Sequence, residues 1–223
     1  MTRFEKFTAE LSKDTPIKIK YKNNSIFMII LSFILFFNKD FISLYCTTIG
    51  NSVYYPTKNW VDKHDTEALL VISHEYVHIK DNIRMGKLYS IAYLFPQILS
   101  LFSIFSVFAF INPFAWFFIL FLIFLAPLPA PGRKNIEMKG YKMTLYTLYL
   151  LYSERKIPLD KILLILYKNV EIMNVSFTGS GYYFMWPFGV QKELRLFVDE
   201  MLINEPVSHE YRIVKDALKI SKY

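Results

Sequence analysis

The sequence predicts an α+β fold: mainly α with a small β-sheet, interrupted by an apolar helical hairpin. Three observations carry this. Helical patterns recur beyond residue 131, at 135–154, 158–173, 190–203 and 207–220. The segment 42–55 alternates β-branched and aromatic residues with polar ones, as strands do. Between Lys87 and Arg133 no residue is charged. The 223 residues read as a single membrane-associated domain, 1–223, with the hairpin, 88–131, inserted in it.

Each element has its own signal. Residues 1–24 are polar and basic, and Lys18, Lys20 and Lys22 alternate with apolar residues, which predicts a short strand or an interfacial segment. Residues 26–37 are apolar but too few for a helical span, which takes ~20 residues. They start late for a signal peptide and lack a small-residue cleavage site, so they read as a buried or half-inserted helix. Gly50-Asn51 supplies a turn between two strands, and Pro56 ends the second. A helix starts near Asp65 as N-cap, with Glu67 in its first turn, and ends at Gly86.

The uncharged stretch is divided by Ile111-Asn112-Pro113. Its first half, from Tyr89 to Phe110, is long enough to span a bilayer. The second, from Phe114 to Ala130, is marginal, and Pro127, Pro129 and Pro131 break its end. Lys80, Arg84 and Lys87 precede the hairpin, Arg133, Lys134, Lys139 and Lys142 follow it, and its tip carries no charge. Both ends should therefore face the cytoplasm. This placement accounts for much of the net charge of +7, and no nucleic-acid partner is expected. The single cysteine, Cys46, excludes an internal disulfide framework and a multi-cysteine zinc knuckle. It reads as a packed strand residue.

The chemistry lies at residues 74–78, His-Glu-Tyr-Val-His, inside the predicted helix. Positions i and i+4 share a helical face, so His74 and His78 can point at one ion. Glu75 falls beside that ion, where it can take a proton from water. Zinc suits two imidazoles and a base, at one ion per chain. A zinc hydrolase needs a third protein ligand. The extended motif with a third histidine is excluded, because its glycine and histidine positions hold Asp81 and Arg84. Asp81 is too close in the same helix. Glu137 is the first acid after the hairpin, and a hairpin that leaves and returns brings it back beside His78. Glu154 and Glu171 are the reserve candidates. Asp81 or Asp62 can orient a ligand histidine. Tyr182, Tyr183 and His209 are candidates to donate to an oxyanion.

The order is a His-Glu-x-x-His helix, an apolar hairpin, and a helix with Arg133, Glu137 and Gly140. It resembles the membrane-embedded zinc endopeptidases of the HtpX type and the CAAX prenyl protease relatives, and more broadly the gluzincins. The resemblance covers about residues 45–150. It implies a zincin-like metalloprotease core with an inserted transmembrane helical hairpin. It also implies Glu75 as catalytic base and His74, His78 and Glu137 as metal ligands. An edge strand within Ser43–Tyr55 would take a peptide or protein substrate in extended form. In that family an Asp follows the ligand Glu by four residues and supports a histidine. This chain has Tyr141 there, so that support must differ. Tyr141 and Tyr183 are the candidates to stabilise the oxyanion or to back a ligand.

The expected function is a membrane-bound, zinc-dependent endopeptidase, integral to the bilayer, with its active site on the cytoplasmic face. The alternative is a non-catalytic membrane protein with a structural zinc site, or a degenerate protease used for protein interaction. A small membrane-remodelling protein with an accidental motif would bind no metal at all.

Overall fold

Thr2 and Glu5 begin the chain with a reciprocal cap. The Thr2 hydroxyl accepts from the Glu5 N–H, and the Glu5 carboxylate accepts from the Thr2 N–H. This nucleates α1, Arg3–Asp14, whose Phe4, Phe7 and Leu11 are buried at helical spacing. The polar, basic reading of this stretch misses the helix. Only Lys18–Tyr21 is extended there, as β1. The computed structural model describes residues 1–34, 42–43, 46–179, 186 and 188–222.

The apolar run forms α2, Ile26–Ile34, and its expected continuation to residue 37 lies outside the described residues. The helix is half covered. Met28 is buried with Tyr54, while Ile26, Phe27, Ile30 and Phe33 are exposed. The two expected strands are β2, Thr47–Ile49, and β3, Ser52–Tyr55. Gly50 turns between them at φ 60°, a conformation that favours glycine. The sheet order is β1-β3-β2, with β1 parallel and β2 antiparallel to β3. β3 is central and buried along its whole length. β2 is an edge.

A short helix, α3 (Lys58–Lys63), is capped by Thr57. It leads directly into α4, Asp65–Met85. The cap of α4 is His64, not Asp65, because the His64 N–H still closes α3 on the Trp60 carbonyl. Asp65 and Glu67 instead lie in the first turn, where the helix dipole favours acids. Gly86, at φ 56°, ends the helix as expected. α4 is buried on two sides. Leu69, Ile72, Tyr76 and Ile79 face the apolar core, and His74, His78 and Asp81 lie on the opposite side. The Tyr55 hydroxyl donates to the Ala68 carbonyl at 3.0 Å and fastens the sheet to α4.

The expected continuous arm from Tyr89 to Phe110 is broken. α5, Lys87–Leu94, stops before Pro96, and the chain turns by 88° into a 3₁₀ stretch, Gln97–Phe110. Proline removes an N–H and disfavours helix in the residue before it, which is the physical reason for the break. A second 3₁₀ stretch, Pro113–Leu125, returns along the first. Phe102 meets Phe121, and Phe105 meets Phe118, with ring centroids 5.3 and 5.5 Å apart. No single helix among the described residues is long and apolar enough to cross a membrane. By length and composition, the bent pair of α5 with Gln97–Phe110 passes the same test.

Four helices follow: α6 (Pro131–Glu154), α7 (Leu159–Thr178), α8 (Val190–Ile203) and α9 (His209–Ser221). α6 packs on α4, and α9 packs on α1 and α6. The architecture is mainly helical with one three-stranded sheet, as the sequence predicts.

Candidate metal centre

α4 and α6 cross face to face, and each offers one stripe of the crossing. On α4 the stripe is His74 and His78. On α6, Arg133, Glu137, Gly140 and Thr144 recur at i, i+4, i+7 and i+11, so they share a face. The crossing is close because Gly140 lacks a side chain. A Cβ there would lie 2.6 Å from two atoms of the His74 ring. Glycine inside a helix costs about 1 kcal/mol relative to alanine, so its presence in α6 answers to this approach.

The imidazoles and the carboxylate converge. His78 Nε2 lies 2.8 Å from His74 Nε2, and Glu137 Oε2 lies 3.2 Å from His74 Nε2 and 3.5 Å from His78 Nε2. All three side chains are buried. Four ligands at zinc-ligand distances in a tetrahedron stand about 3.3 Å apart, so this spacing fits one small cation. Among the described residues no other set of His, Cys and carboxylate groups converges in this way.

The hydrogen bonds around His74 point the same way. The Thr144 hydroxyl donates to the Gly140 carbonyl at 3.1 Å and lies 3.3 Å from His74 Nδ1. Its proton is spent on the carbonyl, so it accepts from His74 Nδ1–H and leaves Nε2 with a lone pair. Three electron-rich atoms in a buried space need protons or a cation between them. Burial pushes the Glu137 carboxyl up, but with protons on the imidazoles the hydrogen bonds and charge of His74 and His78 outweigh it and hold it well below the usual carboxylate range. Burial lowers His78, and its bond to Glu137 together with the charges of Glu137, Glu75 and Asp81 outweighs that, so its net shift is upward. Glu137 is further held by Tyr93, whose hydroxyl donates to Oε1 at 2.8 Å.

The site opens on a cleft of about 590 Å³. Glu75 lines it beside the three donors. One wall is β2 with Cys46, and the other is Tyr89, Ser90 and Tyr93 of α5. The outer edge of β2 pairs with no strand among the described residues. Burial pushes the Cys46 thiol up to about 12, which suits a packed residue and not a nucleophile.

The structure brings together His74, Glu75, His78 and Glu137. Tyr141 sits beside them, its ring edge-on to His74 at 4.9 Å, and the hydroxyl that accepts from His74 Nδ1–H is that of Thr144 instead. Tyr182 and Tyr183 lie outside the described residues. His209 is elsewhere, bonded to Asp14 at 2.7 Å. Asp81 is engaged by Arg84 and Lys139, and Asp62 lines a different depression, with Thr2 and Glu5. The reserve ligands are also remote: Glu154 pairs with Arg3, and Glu171 with Arg195.

Thr144 and Tyr93 carry roles that the motifs do not announce. Thr144 continues the stripe of Arg133, Glu137 and Gly140, a signal present in the sequence. Tyr93 is one of 16 tyrosines and reaches Glu137 only because α5 packs against α6. The chain matches no protein-family model, no curated protein and no solved structure.

Proposed function

We propose that the chain is a membrane-associated, zinc-dependent endopeptidase. The observation that carries this reading is the convergence of three buried donors in one cleft with a neighbouring glutamate and an unpaired strand edge. His74, His78 and Glu137 would hold the ion. Zinc held there supplies Lewis acidity, which acidifies water and polarises a carbonyl.

The rest is the work of the chain. Glu75 has no place in the donor set, so its carboxylate is free to take a proton from the attacking water and return it to the leaving amine. A structural zinc site has no use for such a base. The Thr144 oxygen holds His74 in the tautomer that presents Nε2. Thr47–Ile49 offers backbone N–H and C=O groups to an extended peptide, which gives register with little sequence selectivity. The apolar stretches around 97–125 are the proposed membrane contact, with the site on the cytoplasmic side where the cationic flanks lie.

The test is metal content of the purified chain beside proteolysis of an unfolded polypeptide. About one zinc per wild-type chain is expected, lost in Glu137→Ala and kept in Glu75→Gln. Proteolysis should be absent from both variants. A wild type that takes up no zinc overturns the reading. Zinc without proteolysis leaves the structural-site alternative.

A further inference from the structure

We propose that Tyr93 is a positioning residue for Glu137, and that it ties this metal ligand to the base of the two apolar 3₁₀ arms. The inference rests on the metal-site reading above. Glu137 presents Oε2 to the two imidazoles, while its Oε1 accepts from the Tyr93 hydroxyl at 2.8 Å. One oxygen is thereby assigned to the donor set and the other to the tyrosine. Without that bond the carboxylate is free to rotate, and the spacing of the three donors is no longer fixed.

Tyr93 is itself held from the base of the arms. Its carbonyl accepts from Arg133 Nε at 2.9 Å, and the guanidinium lies 5.2 Å from the centre of its ring. The same Arg133 donates to Gln97 Oε1 at 3.3 Å. Gln97 opens the outgoing arm, and its amide donates at 3.1 Å to the carbonyl of Leu128, just beyond the returning arm. Both roots of the arms are thus joined through Gln97 and Arg133 to Tyr93, and through Tyr93 to Glu137. The joint has no slack. A Cβ on Gly132 would stand 2.2 Å from the Ala92 carbonyl oxygen, so α5 and the start of α6 are already in contact. A change in the seating of the arms therefore reaches the donor set through four named side chains. The consequence is a metal affinity that depends on the arm base.

The experiment compares wild type, Tyr93→Phe, Gln97→Met and the double variant as full chains in detergent. Zinc affinity is read by competition with a chromophoric chelator, and the geometry of the site by the visible spectrum of the cobalt-substituted protein. Removing such a supporting bond costs metal affinity roughly ten- to hundredfold. Tyr93→Phe should show that loss with altered cobalt bands, while the circular dichroism of the metal-free chain matches wild type and so separates a lost donor geometry from a lost fold. Gln97→Met should show a smaller loss, and the double variant should be no worse than Tyr93→Phe. Wild-type affinity and an unchanged cobalt spectrum in Tyr93→Phe overturn the inference and leave the metal site standing. Wild-type affinity in Gln97→Met, or additive losses in the double variant, overturn the link to the arms. A wild type that binds no zinc overturns the metal site and this inference together.

Discussion

Gly140 is the residue at which a single methyl group meets the donor set. Its missing Cβ lets α6 approach the ring of His74, and a Cβ would come within 2.6 Å of Cε1 and Nε2. The usual expectation for Gly→Ala in a helix is a gain of about 1 kcal/mol. Here that gain is offset, because either the ring or the helix must shift. Gly140→Ala should keep its helical content by circular dichroism and lose at least tenfold in zinc affinity, read by chelator competition. Unchanged zinc affinity would mean that the ring can move without disturbing the donor spacing. The same crossing says what was legible at this scale. His74, Glu75 and His78 are spelled out by helical spacing. Glu137 follows from the return of the chain after the uncharged stretch. The partners of these residues are not spelled out, because a hydrogen bond with Tyr93 or Thr144 depends on how two helices cross.

Among the elements, α1 was written in the sequence but masked by charge. The Thr2–Glu5 cap and the spacing of Phe4, Phe7 and Leu11 are helix signals that a reading by net polarity overlooks. The broken arm, by contrast, hinges on Pro96, which a count of apolar residues does not weigh. α1 also fastens the molecule behind α4. Asp14, at its end, accepts from the Tyr76 hydroxyl at 2.6 Å, from His209 at 2.7 Å and from Lys80 at 3.0 Å, so α1, α4 and α9 meet at one carboxylate. Burial pushes the Asp14 carboxyl up, but the bonds from Tyr76, His209, Lys80 and Thr15 outweigh it and hold it well below its ordinary value of 3.8. A carboxyl with a depressed folded value stabilises the fold above its unfolded value and loses that contribution as pH falls through the folded one. Asp14→Asn should therefore be less stable than wild type at neutral pH, by about 1.5–3 kcal/mol for charge-assisted bonds. The gap should close as the solution is acidified below the ordinary carboxylate value. Denaturant midpoints of the two proteins across that range are the measurement, and a gap that does not change with pH would contradict the account.

At the scale of the whole molecule, two forces can bring the protein to a bilayer, and the structure separates them. The first is charge. The cations that flank the apolar stretch are largely engaged: Arg84 and Lys139 with Asp81, Lys134 and Lys142 with Glu193, and Lys80 with Asp14. A basic residue near an anionic leaflet contributes about 1 kcal/mol, and a paired one contributes less. The second force is apolar area. Phe110, Ile111 and Phe114 at the tip of the arms are exposed, as are Ile104, Leu120 and Ile123 along them. Burying side chains of this size is worth about 1.5–3 kcal/mol each, so a handful of them outweighs the remaining charge. The geometry is compatible with depth. A 3₁₀ helix rises about 2 Å per residue, so the 14 residues of Gln97–Phe110 reach close to the ~30 Å of a hydrocarbon core. The expected outcome is co-flotation with vesicles of neutral lipid that persists in high salt, and its loss when Ile104 and Leu120 are both replaced by Asp. Release by salt would assign the contact to charge. Failure to float with neutral vesicles would assign the exposed arms to a protein surface instead, because an apolar patch of this extent is covered by something in the folded, working molecule.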